Sequence, residues 1–419
     1  MTDHIVQEKT LSPAFVIMPL GFAVCVSLFG DLALFAVLPT RTEVIGISVA
    51  SLGVIFGIHR LIRIPGNPIG GLFINKGRRK TYFLAGMLLA FISTLGYGMV
   101  TGLLPFILLR ITWGCAWILI YISSMTMLID VTTTGNRGKW NGIYNIWYLF
   151  GIAGGSLAGG YLADVIGYQQ AMYVCAGMTL VGVLVSLFIP ESNPKQNFRL
   201  LGDERQKTHP IKTLQQLWTS TVNTIKNTPG MLIIVLLYMI TQFVGEGVAL
   251  STISLLLKEK FGEFVSFSWT TLGIASVSGM LISARYILSG VSSPLVGNIS
   301  DQLNNRKLLL SIGMFLGIAS FLVIGYSSSL QWITLGILLN AISGSALLVL
   351  LGALLGDISS EGAEGQMVGI YATFGDMGSA LGPLFAYLIL PIVNLPTVYM
   401  LCGVLFLIGL ALTQRIEFA

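Results

Sequence analysis

Long, unbroken apolar runs dominate this chain, and short polar stretches rich in Lys and Arg separate them. Twelve runs are candidate spans, at residues 14–38, 48–72, 81–101, 104–129, 140–162, 169–189, 230–256, 268–295, 308–327, 331–355, 366–391 and 396–413. A spanning helix needs about 20 apolar residues. The runs are continuously apolar rather than alternating, which predicts helices and not a barrel. The longest interruption, residues 191–229, holds six basic residues and an amphipathic stretch near 211–225. It reads as a cytoplasmic linker between two groups of six helices, residues 14–190 and 230–413, with short cytoplasmic tails at 1–13 and 414–419.

The two groups repeat one another. Asp130, Gly138, Gly142, Tyr144, Gly151 and Gly155 recur as Asp357, Gly365, Gly369, Tyr371, Gly378 and Gly382, all at an offset of 227. Pro68 and Gly71 recur as Pro294 and Gly297 at 226, Gly30-Asp31 as Gly245-Glu246 at 215, and Arg110-x-x-x-Gly114 as Asn340-x-x-x-Gly344 at 230. The expected fold class is therefore all-α integral membrane, with twelve transmembrane helices in two pseudo-symmetric six-helix bundles. Repeats of this kind place a site near the bilayer midplane, at their interface.

Composition agrees with the pattern. Of 419 residues 54% are hydrophobic and only 10% charged, with a mean hydropathy of +0.83, where a soluble domain carries about 25% charged residues. Cations follow the topology. With the N-terminus inside, sixteen Lys and Arg fall in inner segments, three in outer segments and four within helices. That bias predicts a multi-pass cytoplasmic-membrane protein with both termini cytoplasmic. The +5 net charge then needs no nucleic-acid partner. The four cysteines lack ligand spacing, and three histidines without paired ligands predict no metal site. No phosphate-binding Gly-x-x-x-x-Gly-Lys-Ser/Thr loop appears, so no ATP drive is expected from this chain. Neither an enzymatic constellation nor a cofactor is expected.

What remains is charge inside the spans, where an ionisable group costs at least a few kcal/mol and marks a partner or a pathway. Asp31 lies about 10 Å from the outer end of its span and Arg110 about 9 Å from the outer end of its own, so their depths match. They form either a proton or substrate switch or a static buried pair. Glu246, flanked by Gly245 and Gly247, lies about 15 Å deep and is the repeat mate of Asp31. Arg60 and Arg63 share one helix face. His59 beside them is titratable, and a packing role is the simpler reading.

Short motifs in this order resemble the major facilitator superfamily over essentially the whole chain. The Gly70–Lys80 stretch is similar to that family's loop signature between helices 2 and 3, with Ile74 or Asn75 where the signature has Asp. The second copy, Gly297 through Lys307, keeps the acid at Asp301. Arg110-x-x-Trp113-Gly114 is similar to the family's helix 4 motif. Gly151-x-x-x-Gly155-x-x-x-Gly159-Gly160 is similar to an exporter motif of helix 5, with Ser156 where Pro is usual. Gly378 through Gly382-Pro383 is its helix 11 counterpart, and these glycines are expected at helix packing. Asp31-x7-Pro39 is similar to a helix 1 motif of drug–proton antiporters.

The resemblance implies two six-helix halves rocking about a central cavity, and the protein is expected to be a secondary transporter, not an enzyme. Asp31, Arg110 and Glu246 are the expected proton-coupling residues. Arg60, Trp113, Tyr144, Gln242, Asn340 and Tyr371 are the expected cavity residues. Since helix 2 packs on helix 11 in this family, Arg63 is expected to bridge to Asp376, with Arg285 as the competing partner of that acid. Asn75, Arg78, Arg79, Asp301 and Arg306 are expected to form an inner-face latch. The expected partners are a small-molecule substrate, protons and the lipid bilayer, and a monomer is expected. The leading function is proton-driven export of small, largely apolar compounds. Proton-coupled uptake of an anionic metabolite is the alternative, and a lipid translocator or membrane sensor of the same fold is a third reading.

Overall fold

The computed structural model describes residues 12–133, 135–192, 221–268, 270–303, 305–359 and 364–415. Most of the expected linker and both chain ends lie outside the described residues.

Twelve long helices form among the described residues. The first bundle holds α1 (Pro13–Val37), α2 (Leu52–Lys76), α3 (Arg79–Met99), α4 (Leu103–Val131), α5 (Arg137–Ile166) and α6 (Tyr168–Phe188). The second holds α7 (Met231–Phe261), α8 (Ile274–Leu303), α9 (Arg306–Tyr326), α10 (Leu330–Ile358), α11 (Glu364–Ile389) and α12 (Leu395–Gln414). Eleven are long and apolar enough to cross a membrane. The twelfth, α11, matches them in length with 26 residues but is diluted by glycines and by Asp376. Large apolar side chains such as Phe15, Phe150, Phe188 and Leu388 stand exposed, as a lipid-facing surface requires.

Proline opens α1 and α12, and the side chains of Asn305, Ser329 and Asn394 accept from the first free N–H groups of α9, α10 and α12, which satisfies donors that a helix start leaves orphaned. α7 is not uniform. It winds as a π-helix over Phe243–Ala249, which includes Glu246, and such turns cluster at functional sites.

Packing repeats with the sequence. α1 lies on α5 and α6, α2 and α3 lie on α4, and α3 lies on α6. In the second bundle α7 lies on α11 and α12, α8 and α9 on α10, and α9 on α12. Glycine permits the closest contacts: a Cβ at Gly155 would sit 2.8 Å from Phe29 Cα, and one at Gly382 would sit 2.6 Å from Gly247 Cα. Gly151 and Gly159 face Cys25 and Ala33 of α1 in the same way, and Gly378 faces Met239 of α7. The bundles meet where α5 packs on α8 and α2 packs on α11.

Three details depart from the sequence reading. Helix α2 runs on to Lys76, so Gly70–Asn75 is helix and not loop. Helix α8 likewise runs to Leu303 and takes in Gly297 and Asp301. A small antiparallel hairpin, β1 (Phe264–Ser266) with β2 (Thr271–Gly273), follows α7, and its second strand takes up the start of the span expected at 268–295. It marks one end of the molecule, here the hairpin end. The basic α2–α3 turn marks the opposite, basic end.

Candidate functional site

Between the bundles lies a cavity of ≈ 790 Å³, lined from both halves by residues that include Asp31, His59, Arg60, Arg63, Trp113, Trp117, Gln242, Glu246, Arg285 and Asp376. Its charges are arranged in three groups.

In the first bundle Arg110 of α4 is wholly buried and donates from Nη1 to Asp31 of α1. Its Nε donates to the Ile55 carbonyl at 3.0 Å and its Nη2 donates to His59 Nδ1 at 2.6 Å. Tyr97 of α3 stands 3.5 Å from the same guanidinium. The matched depth of Asp31 and Arg110 thus becomes contact.

In the second bundle Glu246 receives Arg285 Nη2 at 3.0 Å and the Tyr286 hydroxyl at 2.7 Å, both from α8. Arg285 Nε also donates to Asn340 Oδ1 of α10 at 3.2 Å. In the repeat Asn340 stands where Arg110 does, and Arg285 is expected only as a partner of Asp376. A cation for Glu246 is present after all, and it comes from a different helix.

The third group joins the halves. Arg63 of α2 meets Asp376 of α11 at 3.1 Å, and Asn67 Nδ2 donates to the same carboxylate at 3.3 Å. Of the two partners open to Asp376, the structure holds Arg63, while Arg285 is engaged by Glu246. Arg60 of α2 approaches Glu246 at 3.7 Å, a looser contact, since both oxygens of that acid already accept from α8.

Aromatic rings cover one wall. Trp113, Trp117 and Tyr121 stack down α4 with centroids 6.2 and 6.1 Å apart, and Tyr148 of α5 leans on Trp117 at 6.0 Å. Three expected cavity residues do not line it. Tyr144 is buried against Ser124 at 2.9 Å. Asn340 lies behind Arg285 and reaches Ser320. Tyr371 is stacked on Tyr238 at 3.7 Å. Each is drawn into packing by neighbours that sequence does not identify. Arg60, Trp113 and Gln242 do line the cavity.

The hairpin end is closed across the bundles. Arg41 pairs with Asp164 at 3.2 Å and Glu263 at 2.9 Å, while Lys258 joins Glu263 at 3.0 Å and the Thr40 carbonyl at 2.8 Å. Asp164 Oδ2, at the end of α5, accepts from the backbone N–H and hydroxyl of Ser276 in α8, each at 2.7 Å. Beneath this, a Cβ at Gly160 would lie 2.2 Å from the Ala275 carbonyl. Toward the basic end the cavity continues, lined by Asn67, Gly142, Ser293 and Val349. None of the closing residues was singled out in the sequence. Their signal, charge at the rims of apolar runs, is shared by ordinary surface residues.

At the basic end two residues of the expected latch, Arg79 and Arg306, pair with acids outside it. Arg79 Nε meets Asp130 at 2.8 Å, and Arg306 pairs with Asp357. Asp301 is exposed and holds no ion pair among the described residues. Asn75 sits in the last turn of α2 with its side chain outside the described residues, and Arg78 precedes α3.

Comparison with known proteins adds independent findings. The family model described as Major Facilitator Superfamily matches residues 20–279 and 235–416. Multidrug resistance protein MdtG of Escherichia coli (strain SMS-3-5 / SECEC) is 24% identical over 354 residues, 83% of this chain and 81% of that protein. Among solved structures, a bacterial homolog to the human lysosomal transporter Spinster, inward-facing and unoccupied, aligns with a TM-score of 0.76 at 16% identity over 97% of both chains. The human organic anion transporter MFSD10 aligns with a TM-score of 0.62 at 16% identity, over 96% of this chain and 99% of that one.

Proposed function

We propose that this chain, which belongs to the Major Facilitator Superfamily, is a transporter that exports small, largely apolar compounds in exchange for protons. The observation that carries this reading is that the acids of two acid–arginine couples, Asp31–Arg110 and Glu246–Arg285, line one cavity between the bundles together with a stacked aromatic wall. The aromatic faces suit apolar or ring-bearing substrates. The acids suit proton exchange, because neutralising a carboxylate removes the attraction that holds its arginine.

In this reading the basic end faces the cytoplasm of the cell membrane, by the excess of Lys and Arg there. The structure is then the inward-open state, sealed outside by Arg41, Asp164 and Glu263. Protonation of Glu246 releases Arg60 and Arg285, and with Arg60 one of the links between the halves. A rocking motion around the cavity then exposes it outward, the alternating-access scheme of repeat-built transporters. The name of the MdtG relative, a multidrug resistance protein, supports export of varied compounds.

A second reading, uptake of an organic anion, is favoured by one observation. Arg60 is held only at 3.7 Å by an acid whose oxygens are already taken, which leaves it open to a ligand carboxylate. Purified protein in liposomes, given an outside-acid pH gradient and a panel of neutral, cationic and anionic aromatic compounds, separates the two. Export predicts gradient-driven movement of neutral or cationic members. If only anions move, and Arg60→Gln stops them, the second reading replaces the first.

A further inference from the structure

Helix α7 changes its winding at Glu246. At the end of the Phe243–Ala249 segment the Leu250 N–H reaches the Gly245 carbonyl, five residues back, where an α-helix reaches four. Such a π-turn stores one residue more than the α-turn it replaces. Its repeat counterpart α1, which carries Asp31, is α-helical over Pro13–Val37. Contacts on two sides hold the surplus residue in place. On one side Glu246 accepts from Arg285 and Tyr286 of α8 and lies 3.7 Å from Arg60 of α2. On the other side Gly247 packs on α11, where a Cβ would sit 2.7 Å from Gly382 Cα. Further titratable groups near Glu246 are Tyr148 of α5 and Tyr238 of α7 itself. Helix α11 presents Gly378 and Gly382 to the turn, and its Asp376 is engaged by Arg63.

Beyond the turn, residues 250–261 of α7 reach the other bundle. Ser254 Oγ donates to the Phe35 carbonyl at 2.7 Å, and Lys258 Nζ donates to the Thr40 carbonyl at 2.8 Å. Side chains donate both bonds, so each depends on which residue faces the first bundle. If the π-turn rewinds as α-helix, this far half turns by about 100° and advances by about 1.5 Å. Each position is then filled by the preceding residue. Ile253 comes to face the Phe35 carbonyl and Leu257 the Thr40 carbonyl, and neither side chain can donate. Contacts within the second bundle survive the same change. The Tyr387 hydroxyl donates to a backbone carbonyl, that of Ser251, at 2.6 Å, and every residue supplies a carbonyl. Tyr399 meets the Thr252 hydroxyl at 2.9 Å, and Ser251 brings a hydroxyl to the same place.

We propose that the π-turn of α7 is a register switch that carries the charge state of Glu246 to the closure at the hairpin end, with Ser254 and Lys258 as the positioning residues it engages and releases. With Glu246 ionised, its ties to α2 and α8 hold the π-turn, and Ser254 and Lys258 face their carbonyls. With Glu246 neutral, the ties to Arg60 and Arg285 lose their ionic attraction. The turn then rewinds into the α-winding that helices otherwise favour, and two bundle-crossing hydrogen bonds at the hairpin end are lost. The register switch deepens the proton-driven reading and rests on Glu246 as its proton site.

Glu246→Gln sets the neutral state. Removal of Ala249 takes out the surplus residue, so that both halves of α7 keep their places in a continuous α-helix. Spin labels at exposed Glu43 and Phe264 read the distance across the hairpin end in nanodiscs at neutral pH. Glu246→Gln should add a longer-distance population that the wild type lacks, and the same substitution should add none once Ala249 is removed. Equal opening with and without Ala249, or no opening in Glu246→Gln, overturns the proposal. Should the shortened chain fail to fold, an antibody-assisted cryo-electron microscopy structure of Glu246→Gln decides. An α-helix through residues 243–249 with Ile253 toward Phe35 supports the switch, and a retained π-turn overturns it. If the register changes as expected but a pH gradient drives no substrate flux in liposomes, the switch stands and the export reading falls.

Discussion

Arg110 is the side chain on which the first bundle converges. It is fully buried, and α1 and α2 together supply a carboxylate, a carbonyl and a ring nitrogen to its donors. Removing one member of a buried ion pair costs about 3–5 kcal/mol because the other charge is left uncompensated. Arg110→Met should therefore lower the thermal unfolding temperature sharply, and Asp31→Asn added to it should recover part of the loss. A double variant no more stable than Arg110→Met alone would show that the pair is not energetically coupled. At this scale the sequence was informative where two charges shared a depth, as with Asp31 and Arg110. It misled where the partner left the repeat-equivalent helix, since Arg285 on α8, and not a residue at position 340, answers Glu246.

Among elements, the contacts that close the hairpin end depend on small residues where α5 crosses α8. A Cβ at Gly160 or at Gly279 would come within 2.2 Å of a facing carbonyl carbon's oxygen, that of Ala275 or Ser156. Gly160→Val should force these helices apart and favour a state open at the hairpin end, seen as faster labelling of a cysteine placed at Ser276. Unchanged labelling would mean that the crossing tolerates the added bulk. At the basic end, Arg79–Asp130 and Arg306–Asp357 are related by the same offset of 227. Reversing charge at Arg79 alone should impair transport, and the exchange Arg79→Asp with Asp130→Arg should restore much of it. The offset is visible in the sequence, whereas the acid expected in the latch, Asp301, belongs to a motif and not to these pairs. That the motif lies inside α8 follows from a helix continuing past the end of its apolar run.

Across the whole molecule, twelve spans and a two-bundle fold were legible because a bilayer leaves the backbone few alternatives. The state of the molecule was not. Closure at the hairpin end rests on Arg41, Asp164, and Lys258 with Glu263, three separate stretches of chain brought together only by folding. Glu263→Gln should weaken the Arg41 and Lys258 contacts and lengthen bundle-to-bundle distances at that end, as read by spin-label measurements between exposed Glu43 and Phe264. Distances identical to wild type would assign the closure to helix packing alone.

The proposed coupling is of proton movement to substrate export through carboxylates in the cavity. It is tested most directly by substrate flux in liposomes under an imposed pH gradient, comparing wild type with Asp31→Asn and Glu246→Gln. The wild type should show gradient-driven flux, with substrate binding retained and gradient dependence lost in at least one variant. Flux that is indifferent to the gradient in the wild type, or fully gradient-driven in both variants, would contradict it.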